Sequence, residues 1–428
     1  MNIDRTKNPT VAQLSTKDID ITNLQPQTYR LDNGIQLDVF PSAAVEVMRL
    51  DFVFEAGKAY AENPLTAIAA MALITEGTAR HSAKEIADFL NFRGITMERT
   101  LDGLNTCFTI YLQNKYMNDF LPLLKEIFTQ PAFAEDEFDI YLTKKQQEFE
   151  NQLKKTSYQA SVTCIKELFG NQGPFSKYLA ASDFGNITTN DVSAFYQKYY
   201  NWQNCKIFAA GNLNPNHINA VNHNFGTLEI APSPSPIEPQ TAINQPIKKH
   251  IDMAGAVQTS IRIGKIIPCR WDSMEFAKLM VVNNLLGGYF GSRLMMNVRE
   301  DKGYCYGIYS MMQVERNAIY MIISSEVGTD VAQAAITEIF NEIQRLQTDP
   351  VPDDELQRSK NYLVGDFLRS VDGVYELLER DRTLHTTHSD NTFTKNLLRA
   401  IDETIATDVI ALARKYFATD SFTQITAG

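Results

Sequence analysis

Apolar residues at Met48, Leu50, Phe52 and Phe54 alternate with Arg49, Asp51, Val53 and Glu55 before Ala56-Gly57. A period of two predicts a half-buried β-strand. A second alternation, Val257, Thr259, Ile261 and Ile263 before Gly264, predicts another. An apolar helix follows each: about 64 to 75, with Pro64 suited to the first turn, and about 273 to 286. Further helices are expected over roughly 82 to 93, 117 to 129, 135 to 170, 329 to 347 and 353 to 385, and strands over 105 to 112 and 317 to 325.

The pattern repeats. Asn190–Tyr200 aligns without a gap on Thr407–Phe417. In each, Asn190 or Thr407 is suited to capping, and Asp191 or Asp408 complements the helix dipole. Apolar residues then fall at helical spacing: Val192, Phe195, Tyr196 and Tyr199 in one copy, Val409, Leu412, Ala413 and Tyr416 in the other. Both helices lead into a short apolar strand ending in Ala-Gly, at Ala210-Gly211 and Ala427-Gly428, at the same separation from the Asp. The chain therefore reads as a duplication. Between the copies, the segment from Ala231 to Pro239 carries a Pro at 232, 234, 236 and 239, with Pro246 beyond it. Such a run forms neither helix nor central strand and reads as an extended, semi-rigid linker. The organisation expected is a domain over 1–229, a linker over 230–247 and a second domain over 248–428. Each domain is an α+β sandwich, a mainly antiparallel sheet backed by helices.

Composition narrows the function. At 428 residues the chain is too long for one core, and 44% apolar content with 24 Phe and 18 Tyr supplies two. A net charge of -11 argues against a nucleic-acid or anionic-membrane partner; Lys248-Lys249-His250 is the one compact basic run. Met1–Lys7 lacks an apolar signal-peptide stretch and no run of 18 apolar residues occurs, so a soluble, unexported, cytoplasmic protein is expected. Cys107, Cys164, Cys205, Cys269 and Cys305 are odd in number and contain no C-x-x-C pair, as reduced, buried thiols would be. His385 and His388 form H-x-x-H without a carboxylate at ligand spacing, and no nucleophile elbow, Walker loop or dinucleotide fingerprint is present.

Several short segments carry a resemblance. Gly291-Ser292-Arg293-Leu294 leads to Val298-Arg299-Glu300-Asp301-Lys302-Gly303-Tyr304-Cys305-Tyr306 in the second copy. Glu76-Gly77-Thr78, Ser82–Ala87 and Arg93-Gly94 stand in the first, followed by the Thr188–Tyr200 stretch and Ala209-Ala210-Gly211. Together these resemble the insulinase/pitrilysin clan of zinc peptidases, including the mitochondrial-processing peptidases and their bacterial relatives, over nearly the whole chain. The resemblance implies two homologous domains forming half of a clamshell. It also implies a zinc site built from an inverted H-x-x-E-H on a helix, with a distal Glu as third ligand and a water in the fourth position. Counting back from Gly77-Thr78, those motif positions hold Ile68, Met71 and Ala72. Neither Ile nor Ala offers a lone pair and a thioether is a poor zinc ligand, so no metal is expected in this chain. The distal ligand position falls at Glu148 or Glu150, as a vestige. Met97 and Glu98 replace the Asn-Ala often found beside the substrate strand.

In the resembled clan, an Arg and a Tyr seven residues apart in the second domain reach the substrate backbone and the polarised carbonyl. Arg299 and Tyr306 match that spacing and are the expected substrate-binding pair. The chain is therefore expected to be the non-catalytic, peptide-holding subunit of a heterodimeric peptidase, with zinc in a homologous partner chain; a homodimer in isolation is also open. An edge strand of the first domain suits an extended peptide, and the negative charge suits basic or neutral ones. The alternatives are an inert structural subunit of the same fold or a stand-alone zinc peptidase.

Overall fold

The computed structural model describes residues 14–17, 19–171, 173–232, 234–237 and 245–428; Met1–Lys7 and the centre of the proline-rich segment lie outside them. The first copy runs β1 (Gln27–Arg30), β2 (Gln36–Pro41), β3 (Val47–Phe54), α1 (Pro64–Leu73), α2 (Ala83–Arg93), β4 (Thr96–Leu101), β5 (Thr106–Gln113), α3 (Met117–Thr129), α4 (Glu135–Leu153), α5 (Thr156–Phe169), α6 (Thr189–Tyr199), β6 (Cys205–Gly211) and α7 (Pro215–Phe225). The second runs β7 (Lys248–Ile251), β8 (Gln258–Ile266), α8 (Met274–Asn283), β9 (Cys305–Glu315), β10 (Ala318–Gly328), α9 (Ala332–Thr348), α10 (Asp353–Arg369), α11 (Val374–Thr386), α12 (Thr392–Glu403), α13 (Ala406–Tyr416) and β11 (Thr423–Ala427).

The duplication holds at the level of topology. The first sheet is ordered β1-β2-β6-β3-β5-β4 and the second β7-β11-β8-β10-β9. Apart from the additional β1, the orders superpose. In each sheet one pair is parallel, β2 with β6 and β7 with β11, and the rest are antiparallel. Both repeated helices, α6 and α13, precede the central strand that ends in Ala-Gly. Their caps differ from expectation. Thr188, not Asn190, caps α6: its Oγ1 accepts from Asp191 N at 3.2 Å, and Asp191 accepts from Thr188 N at 2.8 Å. In α13, Asp408 accepts from Ile405 N at 3.2 Å, and Thr407 lies inside the helix.

The strand β3 buries Met48, Leu50, Phe52 and Phe54 against the helices, with the Phe52 ring 5.0 Å from those of Phe128 and Phe225. It is not half-buried, however, because Arg49, Asp51 and Val53 on its other face are buried too. The cover comes from the second copy. Helix α11 lies across β2 and β6, and its Leu378 packs with Phe40, Val53, Phe208 and Ala210. The exchange is mutual: α5 of the first copy lies on β8 and β11, packing Ala160, Cys164 and Leu168 against Ile425 and Ala427.

This exchange corrects two predicted helices. The expected helix over 135 to 170 is α4 and α5, broken where Lys155 turns extended (φ -91°, ψ 125°). The expected helix over 353 to 385 is α10 and α11, broken at Gly373, whose φ of 117° strains any other residue. In both, the second member leaves its own copy for the other's sheet. The helix expected over 273 to 286 ends at Asn283 and continues as a π-helical turn over Asn284–Gly288. Val257 precedes β8 and is exposed, whereas Ile261 and Ile263 are fully buried.

Candidate functional site

Asn63 caps α1 by accepting from Leu65 N at 2.9 Å, and Pro64 opens its first turn. The cap fixes where α1 begins, and Ile68, Met71 and Ala72 then fall on the face toward β4 and α4. Between the three elements lies a cleft of about 540 Å³. Ile68, Met71 and Ala72 of α1 line it, opposite Met97 and Arg99 of β4 and Tyr141 and Glu148 of α4. The two candidate carboxylates separate here. Glu148 reaches the cleft and pairs with Lys145 at 3.1 Å, whereas Glu150 accepts from Gln146 Nε2 at 3.2 Å at the surface.

The cleft's strongest polar contact was not signalled by any motif. Arg99 Nη1 donates to Ala72 O at 2.6 Å and to Thr75 Oγ1 at 2.7 Å. It thus satisfies a free carbonyl of the last turn of α1 and places a cation at the negative end of the helix. Burial, with the Glu148 charge adding to it, pushes the Tyr141 hydroxyl well above its ordinary range. A zinc site needs imidazole, thiolate or carboxylate donors converging on one point. The cleft offers the carboxylates Glu76, Glu137 and Glu148, with Arg99, Lys144 and Lys145 among them. Among the described residues no group of three His, Cys, Asp or Glu is arranged to hold a metal ion. Aliphatic side chains on α1 and a guanidinium bonded to its end do not fit zinc.

In the second copy the chain after α8 forms a second π-helical turn, Met295–Asp301, pinned by fully buried Met295 and Val298. Gly303, at φ 67°, turns it back toward β9, and its amide donates to Arg299 O at 3.0 Å. Arg299 and Tyr306 are thereby brought together. The guanidinium carbon of Arg299 sits 5.4 Å from the Tyr306 ring centre and 4.7 Å from that of Phe290. Its carboxylate neighbour is Glu300, at 3.5 Å. Tyr306 is 91% exposed, so its hydroxyl faces solvent.

The histidines of H-x-x-H go separate ways at the seam between the copies. His385 is half-buried against Phe208, and loss of solvent around its ring with the nearby Lys206 charge pushes it down to about 3. His388 lies 3.3 Å from Glu55, which Arg316 also holds at 2.5 Å. Under α11, Arg49 grips Asp51 through two bonds of 2.8 and 2.6 Å and reaches Glu379 at 2.6 Å; Arg382 reaches Asp51 at 3.0 Å. Beside them Lys206 pairs with Asp38 at 2.6 Å. Burial, with the Asp38 charge adding to it, pushes Asp381 up to about 6. Charged residues at the outward positions of β3 were the sequence signal for this seam.

Comparison with known proteins bears on the same regions. The model described as Insulinase (Peptidase family M16) matches residues 52–166, and that described as Peptidase M16 inactive domain matches 186–363. An uncharacterized zinc protease, YmxG, of Bacillus subtilis is 21% identical over 92% of this chain and 96% of its own. A probable inactive metalloprotease of the same organism, YmfF, is 22% identical over 72% of this chain and 76% of its own. The crystal structure of a peptidase M16 inactive domain from Pseudomonas fluorescens superposes with a TM-score of 0.83 at 21% identity, covering 94% of this chain and 98% of that one. With both family models matched, one in the region of α1 and the other across Arg299 and Tyr306, the chain belongs to the insulinase family, peptidase family M16.

Proposed function

We propose that this chain is the non-catalytic, peptide-holding subunit of a two-chain zinc peptidase, acting in the cytoplasm beside a homologous chain that carries the metal. The observation that carries this reading is the absence of metal-binding side chains on the α1 wall of the cleft. Ile68, Met71 and Ala72 stand where metal ligands and a general base would be needed, and Arg99 bonds to the end of their helix. Hydrolysis of a peptide without an activated water lacks its nucleophile. Glu148, in the same cleft, is then the vestige of the distal ligand, and Glu150 is not.

What the chain retains is suited to holding substrate. Arg299 presents fixed donors and Tyr306 a hydroxyl, both complementary to a carbonyl oxygen that gains charge in a tetrahedral intermediate. Both are accessible to a second chain or a peptide. The edge strand β4, beside the cleft, has backbone groups free for an added peptide strand. Among the described residues no helix is long and apolar enough to cross a membrane.

The test is co-expression with a metal-bearing family member from the same genome. A stable complex that cleaves peptides, with zinc bound one per heterodimer and none to this chain alone, is the expected result. Stoichiometric zinc in the isolated chain, or full activity of the partner without it, would overturn the proposal.

A further inference from the structure

On the face of the first sheet opposite the α1 cleft lies a second cavity, of about 690 Å³, between α11, the outer side of β3 and β5, and the second copy. That volume is in the range of small-molecule sites. Its walls are largely apolar, with Tyr111, Trp271, Val314, Tyr375, Leu384 and Phe393 among them. The cavity is therefore built by both copies and belongs to neither alone.

Its lining holds two cations, Arg49 and Arg380, and two carboxylates, Glu376 and Glu379, but they are not paired one to one. Arg49 on one wall is neutralised by Asp51 and Glu379. The carboxylate of Glu376 is folded back over Gly373 at the start of α11, where a β-carbon would stand 2.7 Å from its oxygen. Arg380 is left. Its Nη2 donates to Asn391 Oδ1 at 3.0 Å, but its Nε is buried without an acceptor, and among the described residues no carboxylate lies within 4.0 Å of it. A guanidinium stays charged in a protein; partial burial disfavours that charge here, and the neighbouring Asp381 offsets this only in part, so a carboxylate brought into the cavity is favoured. Arg380, Thr383 and Leu384 follow helical spacing on α11, with Thr387 just past its end, so the cation and the apolar wall lie on one face.

We propose that this cavity binds an amphipathic monocarboxylate, a fatty-acid-like ligand. Its carboxylate pairs with Arg380, and its chain lies against Trp271, Leu384 and Phe393. A ligand here bridges the two copies through α11 and so stabilises their docking. The inference is independent of the peptidase reading, since it uses no residue of the α1 cleft and neither Arg299 nor Tyr306.

The test is a titration of the full chain with dodecanoate, followed by tryptophan fluorescence. The chain has two Trp, of which Trp202 is buried in the first core, so a saturable change that disappears in Trp271→Phe reports this cavity. Arg380→Met is expected to weaken dodecanoate by about tenfold or more, the worth of a charge-assisted pair, while Arg380→Lys stays within a few-fold of the parent. Dodecanol, matched in chain but uncharged, should bind parent and Arg380→Met alike. Should Arg380→Met fail to fold, Thr383→Phe, which narrows the cavity from an exposed position with Arg380 intact, is expected to abolish the titration. No saturable change, equal affinity for dodecanoate and dodecanol, or unaltered binding by both Arg380→Met and Thr383→Phe would overturn the proposal.

Discussion

The two copies place their strands in the same order, yet they hold each other by different chemistry. Helix α5 of the first lies on the second sheet over small and aliphatic groups, close enough that a β-carbon on Gly264 would meet Leu168 at 3.1 Å and Cys164 at 3.2 Å. Helix α11 of the second lies on the first sheet over Asp51, which is fully buried and shared between Arg49 and Arg382. Both seams mix apolar and polar contacts, α11 packing Leu378 on Phe208 and α5 bonding Ser161 to Arg262, but only the α11 seam buries a carboxylate completely. The apolar seam tolerates little extra volume, whereas the charged seam depends on a few groups that must remain together.

The largest effect should come from the charged seam. Asp51→Ala leaves the buried guanidinium of Arg49 and the half-buried one of Arg382 short of their acceptor and is expected to cost about 3–5 kcal/mol in urea unfolding. A cost below about 1 kcal/mol would remove the distinction between the seams.

Next comes Glu315, where β9 of the second copy faces Asp102 and Lys58 of the first. Burial, with the Asp102 charge adding to it, pushes this carboxyl up to about 7. Its neutral form is favoured in the folded protein. The associated stability is full below the unfolded carboxyl range and is lost as pH rises through 7. His385 works in the opposite sense: pushed down to about 3, it contributes stability above its unfolded range that is lost as pH falls. The two slopes oppose each other in the parent. Glu315→Gln should therefore gain on the parent by on the order of 2 kcal/mol between pH 5 and 8. A difference that does not change with pH contradicts the assignment.

The smallest effect belongs to the apolar seam. Gly264→Ala adds one methyl against Leu168, Cys164 and the Met321 carbonyl. Overpacking, partly offset by the lower entropy of the unfolded chain, should cost about 1 kcal/mol. Neutral or stabilising behaviour in thermal unfolding would show that α5 stands off the sheet.

Much of the fold was legible in the residues. Periodicity located most helices, and the repeat of Asn190–Tyr200 in Thr407–Phe417 exposed the duplication before any strand order was known. The edge and outer strands β1, β2, β4, β7 and β9 give no clear alternation because their sequences are mixed or polar. The break between α4 and α5 was hidden because Lys154-Lys155-Thr156 carries neither Gly nor Pro. It follows instead from a sheet of the other copy needing cover, which no local pattern records. The cleft was half legible. The resemblance points to Ile68, Met71 and Ala72 and to either Glu148 or Glu150; the first three and Glu148 line one cleft, Glu150 does not, and Arg99 joins them only through strand pairing. Arg380 was invisible for the same reason, since its environment is assembled from both copies.

The comparison of the copies ends at their two sites, one filled with aliphatic side chains and a guanidinium, the other still presenting Arg299 and Tyr306. The central claim of the proposed reading is that β4 of the first copy offers backbone groups to the substrate, while the side chains of this chain that meet the reacting carbonyl come from the second copy alone. The direct measurement is kcat/KM for peptide cleavage by the heterodimer, with Arg299→Ala and Tyr306→Phe in this chain and the partner unaltered. The account predicts a fall on the order of 100-fold for each, as for a lost transition-state donor, with the complex and its zinc content intact. Unchanged kcat/KM in both variants would contradict it.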